Sequence, residues 1–238
     1  MDKLEALTSR IILWIRRQVD EAGARGTVTG ISGGVDSAVV AALCYRALGD
    51  QALGLILPCH SSPQDVEDAH LVAKEIGINF RLVDLSSVYD RFLEILPEGP
   101  HMARANIKPR LRMVALYYFS NAKGLLVAGT SNASELAVGY FTKYGDGAAD
   151  ILPIGGLMKE QVRELARHLG IPHHIIQKPP SAGLWDGQTD EDEMGITYAQ
   201  LDAYLRGETL EPSTSERIKR MITSSQHKRR LPLVFTLS

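Results

Sequence analysis

The 238-residue chain is poor in several features that would each announce a class of protein. It has 2 cysteines, Cys44 and Cys59, too far apart for a Cys-x-x-Cys pair, which argues against a disulfide framework and a cysteine-bound zinc. Charge of one sign is missing: 26 Lys and Arg against 28 Asp and Glu leave a formal net charge of -2, which argues against a nucleic-acid partner. No apolar run is long enough to span a bilayer. Met1-Asp2-Lys3-Leu4-Glu5 opens an amphipathic helix rather than an apolar leader. The expectation is therefore a cytoplasmic protein with no membrane partner. The Gly-Lys-Ser/Thr of the ordinary nucleotide-binding loop is also absent. What remains is an average globular composition, 45% hydrophobic and 23% charged, read as one domain over residues 1–238.

The most informative stretch is Gly30-Ile31-Ser32-Gly33-Gly34-Val35-Asp36-Ser37. Residues 27–31 before it are β-branched and read as a short buried strand; residues 37–44 after it are small and apolar and read as a helix packed on a sheet. Glycine pairs permit positive φ and close backbone approach, and a helix start directs N–H groups and partial positive charge at an anion. Ser32 and Ser37 can donate to phosphate oxygens, and Asp36 is a hard oxygen ligand of the kind Mg²⁺ takes. The Ser-Gly-Gly-x-Asp-Ser core resembles the loop of the ATP pyrophosphatases, which cleave ATP between its α and β phosphates.

Along the chain, Leu4, Leu7, Ile11, Ile15 and Val19 repeat at helical spacing. Ser62 followed by Pro63 reads as an N-cap, opening a helix through Val66, Ala69, Val72, Ala73 and Ile76 to Gly77. Residues 79–85 read as a strand burying Phe80, Leu82 and Val83, and Ser86 starts a helix carrying Val88, Phe92 and Ile95. Such alternation predicts a doubly wound parallel α/β sheet flanked by helices, with ligands beyond the carboxyl ends of its strands.

Pro109 falls in the first turn of a helix to Ser120, whose aromatic run Tyr117-Tyr118-Phe119 requires burial on two sides, by the core or by a second chain. Residues 125–129 form another apolar strand, followed by Thr130-Ser131-Asn132-Ala133-Ser134-Glu135. Glu135 is then either a second Mg²⁺ ligand facing Asp36 or a first-turn carboxylate complementing the helix dipole. Residues 139–150, with three glycines, two carboxylates and a lysine among aromatics, read as a binding loop. Lys159 starts a helix closed by Gly170. Residues 177–187 are rich in turn formers and read as a lid or an ordered surface loop. The acidic run Asp190-Glu191-Asp192-Glu193 reads as a solvated face, and the basic tail from His227 as a surface cluster. His173 and His174 diverge on a helix and are not expected to hold a metal.

Four separated segments, residues 32–37, 139–147, 178–185 and 227–229, together resemble the ammonia-dependent NAD synthetases. Val35 and Asn132 depart from the residues other members carry there. The resemblance implies an adenine nucleotide alpha hydrolase-like fold. It also implies Mg²⁺-dependent amidation of deamido-NAD through an adenylated nicotinate, releasing AMP and pyrophosphate. By matched position, Gly30, Ile31, Ser32, Gly33, Gly34, Val35, Asp36, Ser37, Thr130, Lys159 and Ser181 would bind ATP. Asp36 and Glu135 would hold Mg²⁺, and Asp36 and Lys159 would be catalytic. Arg110, Lys143, Asp150, His227 and Lys228 would bind deamido-NAD at a homodimer interface. Glutamine-using members carry an added amidase domain for which these residues leave no room, so free ammonia is the expected nitrogen donor. The rival readings are an ATP pyrophosphatase acting on a tRNA base or purine nucleotide, and a non-catalytic nucleotide-binding module.

Overall fold

A computed structural model describes residues 3–185 and 187–236; Met1 and Asp2 of the expected first helix, and Asp186 of loop 177–187, lie outside the described residues. Four parallel strands, β1 (Thr27–Gly30), β2 (Ala52–Ile56), β3 (Asn79–Leu82) and β4 (Leu126–Val127), form a sheet of order β3-β2-β1-β4. One face is covered by α1 (Lys3–Glu21), α2 (Val35–Leu48), α3 (Pro63–Ile76) and α8 (Lys159–Leu169), the other by α4 (Ser86–Ile95) and α6 (Ile107–Lys123). Short α5 (His101–Ala105) leads into α6. The doubly wound expectation is met, because parallel strands need crossovers and each crossover helix buries a sheet face.

Helix α2 is apolar all round, with Ala38, Val39, Val40, Ala41, Leu43 and Cys44 fully buried between the sheet and its neighbouring helices. It begins at Val35, two residues before the expected start, since Gly34 is extended and leaves the loop there. Ser62 caps α3 as expected, its Oγ accepting from the Asp65 N–H at 3.1 Å with Pro63 next in line.

Two expectations about burial need correction. Strand β3 stops at Leu82, and Leu82 is 46% exposed with Phe80 only partly buried, because β3 is the sheet edge and lacks a second neighbour. Helix α4 forms, yet Val88, Phe92 and Ile95 face outward while Tyr89 packs inward. The ladder of β4 covers only Leu126 and Val127, with Ala128 bridging to Ile151.

Helix α7 (Ala133–Val138) joins α10 (Asp190–Met194), α11 (Tyr198–Leu205) and α12 (Pro212–Ser224) from the last third of the chain in a small satellite core, with α9 (His173–Gln177) between α8 and the loop 178–189. Among the described residues no helix is long and apolar enough to cross a membrane. The strand order turns direction between β1 and β4. That is the topological switch point, where a crevice opens outside the carboxyl ends of the strands.

Candidate active site

The loop leaving β1 folds around one hydroxyl. Ser37 Oγ donates to Gly34 O at 2.9 Å, accepts from the Ser32 N–H at 3.1 Å, and lies 3.0 Å from Ser32 Oγ. Gly33 sits at φ +80, and a Cβ there would fall 2.6 Å from Asp65 O, so the turn closes against α3 only with glycine. Gly34 caps α2 without a side chain, leaving first-turn N–H groups directed at the crevice, the geometry that binds phosphate.

Beside this loop stands a buried charge cluster. Lys159, the first residue of α8 and 2% exposed, donates from Nζ to Asp36 Oδ2 at 2.5 Å and to Glu135 Oε1 at 3.0 Å. Asp36 Oδ1 accepts from Asn132 Nδ2 at 2.9 Å. Asn132 and Glu135 close a capping box at the start of α7, so Glu135 complements the helix start and faces Lys159 at once. The Tyr198 hydroxyl reaches Asp190 Oδ2 at 2.9 Å and Glu135 Oε1 at 3.2 Å, and its ring lies 4.7 Å from the Lys159 ammonium. Burial pushes Glu135 up to about 7 against the opposing pull of Lys159. Burial lowers Lys159, but Asp36 and Glu135 outweigh it and hold the ammonium above its ordinary value.

Three carboxylates, Asp36, Glu135 and Asp190, thus surround one ammonium. No group of three or more His, Cys, Asp or Glu arranged to hold a metal occurs among the described residues. Two hard carboxylates, Asp36 and Glu135, do line the cleft beside a phosphate loop, and that donor set fits Mg²⁺, which completes its shell with phosphate oxygens and water.

Across the cleft, whose volume is about 540 Å³, the wall is basic. Arg110 donates to the carbonyls of Asn106 and Lys143, and Lys143 Nζ to His227 O at 2.9 Å. Lys228 Nζ donates to Gly139 O and Phe141 O, both at 2.8 Å, so the tail fastens the 139–147 loop. Burial holds the Lys228 ammonium below its ordinary value. Loop 178–189 forms the roof. Lys178 binds Asp65 and Asp68 of α3 at 2.7 and 2.5 Å, Lys108 Nζ donates to Leu184 O at 2.8 Å, and Trp185 packs edge-on against His101.

Comparison with known proteins decides what this arrangement belongs to. The NAD synthase family model matches residues 7–232. The chain belongs to the NAD synthase family. It is 48% identical over 235 residues to the NH(3)-dependent NAD(+) synthetase of Carboxydothermus hydrogenoformans, covering 97% of each chain. Among solved structures it is similar to the NMN synthetase from Francisella tularensis, with TM-score 0.95, 39% identity and full coverage of both chains. It is also similar to the NH3-dependent NAD synthetase from Campylobacter jejuni, with TM-score 0.83, 32% identity, and 99% and 100% coverage.

In this NAD synthase chain the residues singled out in sequence converge on the cleft with two exceptions. Gly30, Ile31, Ser32, Gly34, Val35, Asp36, Ser37, Thr130, Glu135, Lys159, Ser181, Arg110, Lys143, His227 and Lys228 all line it. Gly33 turns its face to α3 instead. Asp150 lies outside the lining: its Oδ2 accepts from the Val127 N–H at 2.7 Å and its Oδ1 from Tyr117 at 3.2 Å. The reading of the acidic run as a solvated face is corrected at Asp190, which is 5% exposed and accepts from Tyr198, while Asp192 and Glu193 are exposed as expected. Asn132, Tyr198 and Arg112 belong to the site and carry no strong sequence signal, whereas Lys178 opens one of the four segments that carry the resemblance. Arg112 lines the cleft and donates to Leu57 O and Ser61 Oγ.

Proposed function

We propose that the protein amidates the nicotinate carboxylate of deamido-NAD with free ammonia, driven by cleavage of ATP to AMP and pyrophosphate, the last step of NAD biosynthesis. The observation that carries this reading is the buried Lys159 ammonium held between Asp36 and Glu135 beside the Ser32–Ser37 loop. In the first step the nicotinate oxygen attacks the α-phosphorus, the bond to the β-phosphate breaks, and pyrophosphate leaves. The N–H groups at the start of α2, with Ser32 and Ser37, hold the phosphates; Thr130 and Ser181 line the same chamber. Lys159 offsets the negative charge that grows on the phosphorus oxygens. Asp36 and Glu135 would hold Mg²⁺, which when bound neutralises phosphate charge.

In the second step ammonia attacks the carbonyl of the acyl adenylate, the C–O bond breaks and AMP departs. The buried Asp190 carboxylate, which burial holds above its ordinary value, lines the cleft and would accept the proton that the nitrogen sheds. Arg110, Lys143, His227 and Lys228 supply the positive wall for the pyridine nucleotide. Exposed Val88, Phe92 and Ile95 on α4, with Val114 and Tyr118 on α6, form an apolar face suited to a second copy, as expected of a homodimer. Asp150 accepts from Tyr117 of α6, and in such a dimer it would approach the dinucleotide from the α6 side.

A second reading has one observation in its favour. The Francisella tularensis NMN synthetase is matched along the whole chain at TM-score 0.95, so the acceptor is alternatively nicotinate mononucleotide, which carries the same carboxylate. One assay separates the readings. Purified protein with ATP and Mg²⁺ is given deamido-NAD or nicotinate mononucleotide, with ammonium, glutamine or neither. Amide formed from deamido-NAD with ammonium alone supports the first reading, and preference for the mononucleotide supports the second. No pyrophosphate under any condition overturns both.

A further inference from the structure

The starts of α7 and α8, which carry Glu135 and Lys159, are joined by a fully buried side chain from a third helix. Met158, the N-cap of α8, offers no side-chain hydrogen bond to its first turn. The first two N–H groups of α8 find acceptors elsewhere: Lys159 N donates to Ser134 Oγ at 3.0 Å, and Glu160 N to Asp202 Oδ2 at 3.0 Å. Ser134 Oγ in turn donates to Asp202 Oδ1. Ser134 is 0% and Asp202 1% exposed. A carboxylate at a helix start also meets the positive end of the dipole, so one charge satisfies α8 and grips α7.

Asp202 does not act alone. Tyr198 lies four residues earlier on α11, hence on the same face. That residue touches Glu135 and Asp190 through its hydroxyl and Lys159 through its ring. A single face of α11 therefore holds the α8 backbone and the Ser134 hydroxyl of α7, through Asp202, and the Glu135 and Lys159 side chains, through Tyr198. We propose that Asp202 is a positioning residue of the reaction, fixing the Lys159 ammonium relative to Glu135 by bridging Ser134 and the first turn of α8. It contacts no part of the cleft and acts only through those two helix starts. A Lys159 displaced by about 1 Å meets the developing phosphorus charge badly, and displacement on that scale costs on the order of a hundredfold in rate.

The proposal rests on the adenylation reading above, and wild-type protein assayed in parallel distinguishes the two. Wild type that forms no amide refutes the function, whereas the inference concerns variants of active wild type. The variants are Asp202→Ala and Asp202→Asn, assayed well below their melting temperatures with circular dichroism showing the native fold. Asp202→Ala is expected to lower kcat about a hundredfold with KM for ATP and the pyridine nucleotide within about threefold. Asparagine accepts from Glu160 N and donates to Ser134 Oγ, so Asp202→Asn is expected to recover about tenfold of that loss. Calorimetric titration of the ATP complex without the second substrate is expected to give the same affinity for all three proteins. Should Asp202→Ala fail to fold, Asp202→Asn carries the test through its kcat against unchanged KM. A folded variant with kcat within about threefold of wild type overturns the proposal, as does a loss shared equally by KM or an Asn variant no faster than Ala.

Discussion

Replacing Lys159 by Met removes the ammonium and keeps the length of the stem. The residue is 2% exposed, and its removal strands Asp36 and Glu135, whose side chains are 18% and 14% exposed. Breaking a buried ion pair from one side costs about 3–5 kcal/mol, because the remaining charge stays buried without a partner. Both carboxylates keep some contact with water, which favours the lower end, about 3 kcal/mol. For a chain of this size that is a fall in melting temperature of about 6–12 °C. The rate should fall by about a hundred- to a thousandfold, the usual cost of deleting one group that stabilises transition-state charge. Differential scanning calorimetry gives the first quantity and steady-state amide formation the second. The decisive companion is Lys159→Met with Asp36→Asn and Glu135→Gln: neutral isosteres remove the stranded charges, so this triple variant should melt above the single one while staying inactive. If Lys159→Met melts within about 2 °C of wild type, or the triple variant is no more stable than the single, the charge coupling inferred from the geometry is wrong.

Other outcomes follow from neighbouring contacts. Burial pushes the Asp68 carboxyl up, but the Lys178 ammonium and the Gln64 amide outweigh it and hold it below 3.8. Burial likewise lowers Lys178, which its two aspartates hold above 10.5. The depressed acid stabilises the fold above 3.8 and loses that contribution as pH falls through its folded value; the raised base loses its contribution as pH rises above 10.5. Hydrogen exchange in loop 178–189 should therefore be flat from about pH 4 to pH 10 in this respect and rise on either side of that window, after correction for intrinsic rates. Lys178→Ala should raise exchange there at neutral pH and raise KM for ATP. Gly33→Ala should cost at least about 1–2 kcal/mol for the left-handed φ alone, seen as a lowered melting temperature, with weakened ATP binding. Lys228→Ala frees the carbonyls of Gly139 and Phe141; KM for the pyridine nucleotide should rise more than KM for ATP in initial-rate measurements. Mg²⁺ with a non-hydrolysable ATP analogue should raise the melting temperature of wild type and not of Asp36→Asn.

The sequence by itself determined the parts whose physics is local. The Ser32–Ser37 loop was legible because a β-branched strand, paired glycines and a small-residue helix follow one another within a few residues. The caps at Ser62 and Gly77 and the helix closed by Gly170 were legible for the same reason: each depends on neighbours in the chain. Parallel topology followed from the alternation of strands and helices, and with it the end of the sheet where a ligand would sit. Only the tertiary structure decided which face of α4 was buried, since an edge strand leaves nothing to cover Val88, Phe92 and Ile95. It alone turned the first residue of the acidic run inward: Asp190 is buried because Tyr198, eight residues on, supplies a hydroxyl at 2.9 Å. It moved Asp150 out of the cleft by giving its carboxylate a backbone N–H to accept from. And it assembled Asp36, Asn132, Glu135, Lys159 and Tyr198, which come from the starts of α2, α7, α8 and α11 and meet because strand order reverses between β1 and β4. Local pattern fixes what an element is, because the forces that form it act over one or two turns. Which charges share a buried volume depends on contacts between residues 24 to 123 positions apart, and no local pattern carries that distance.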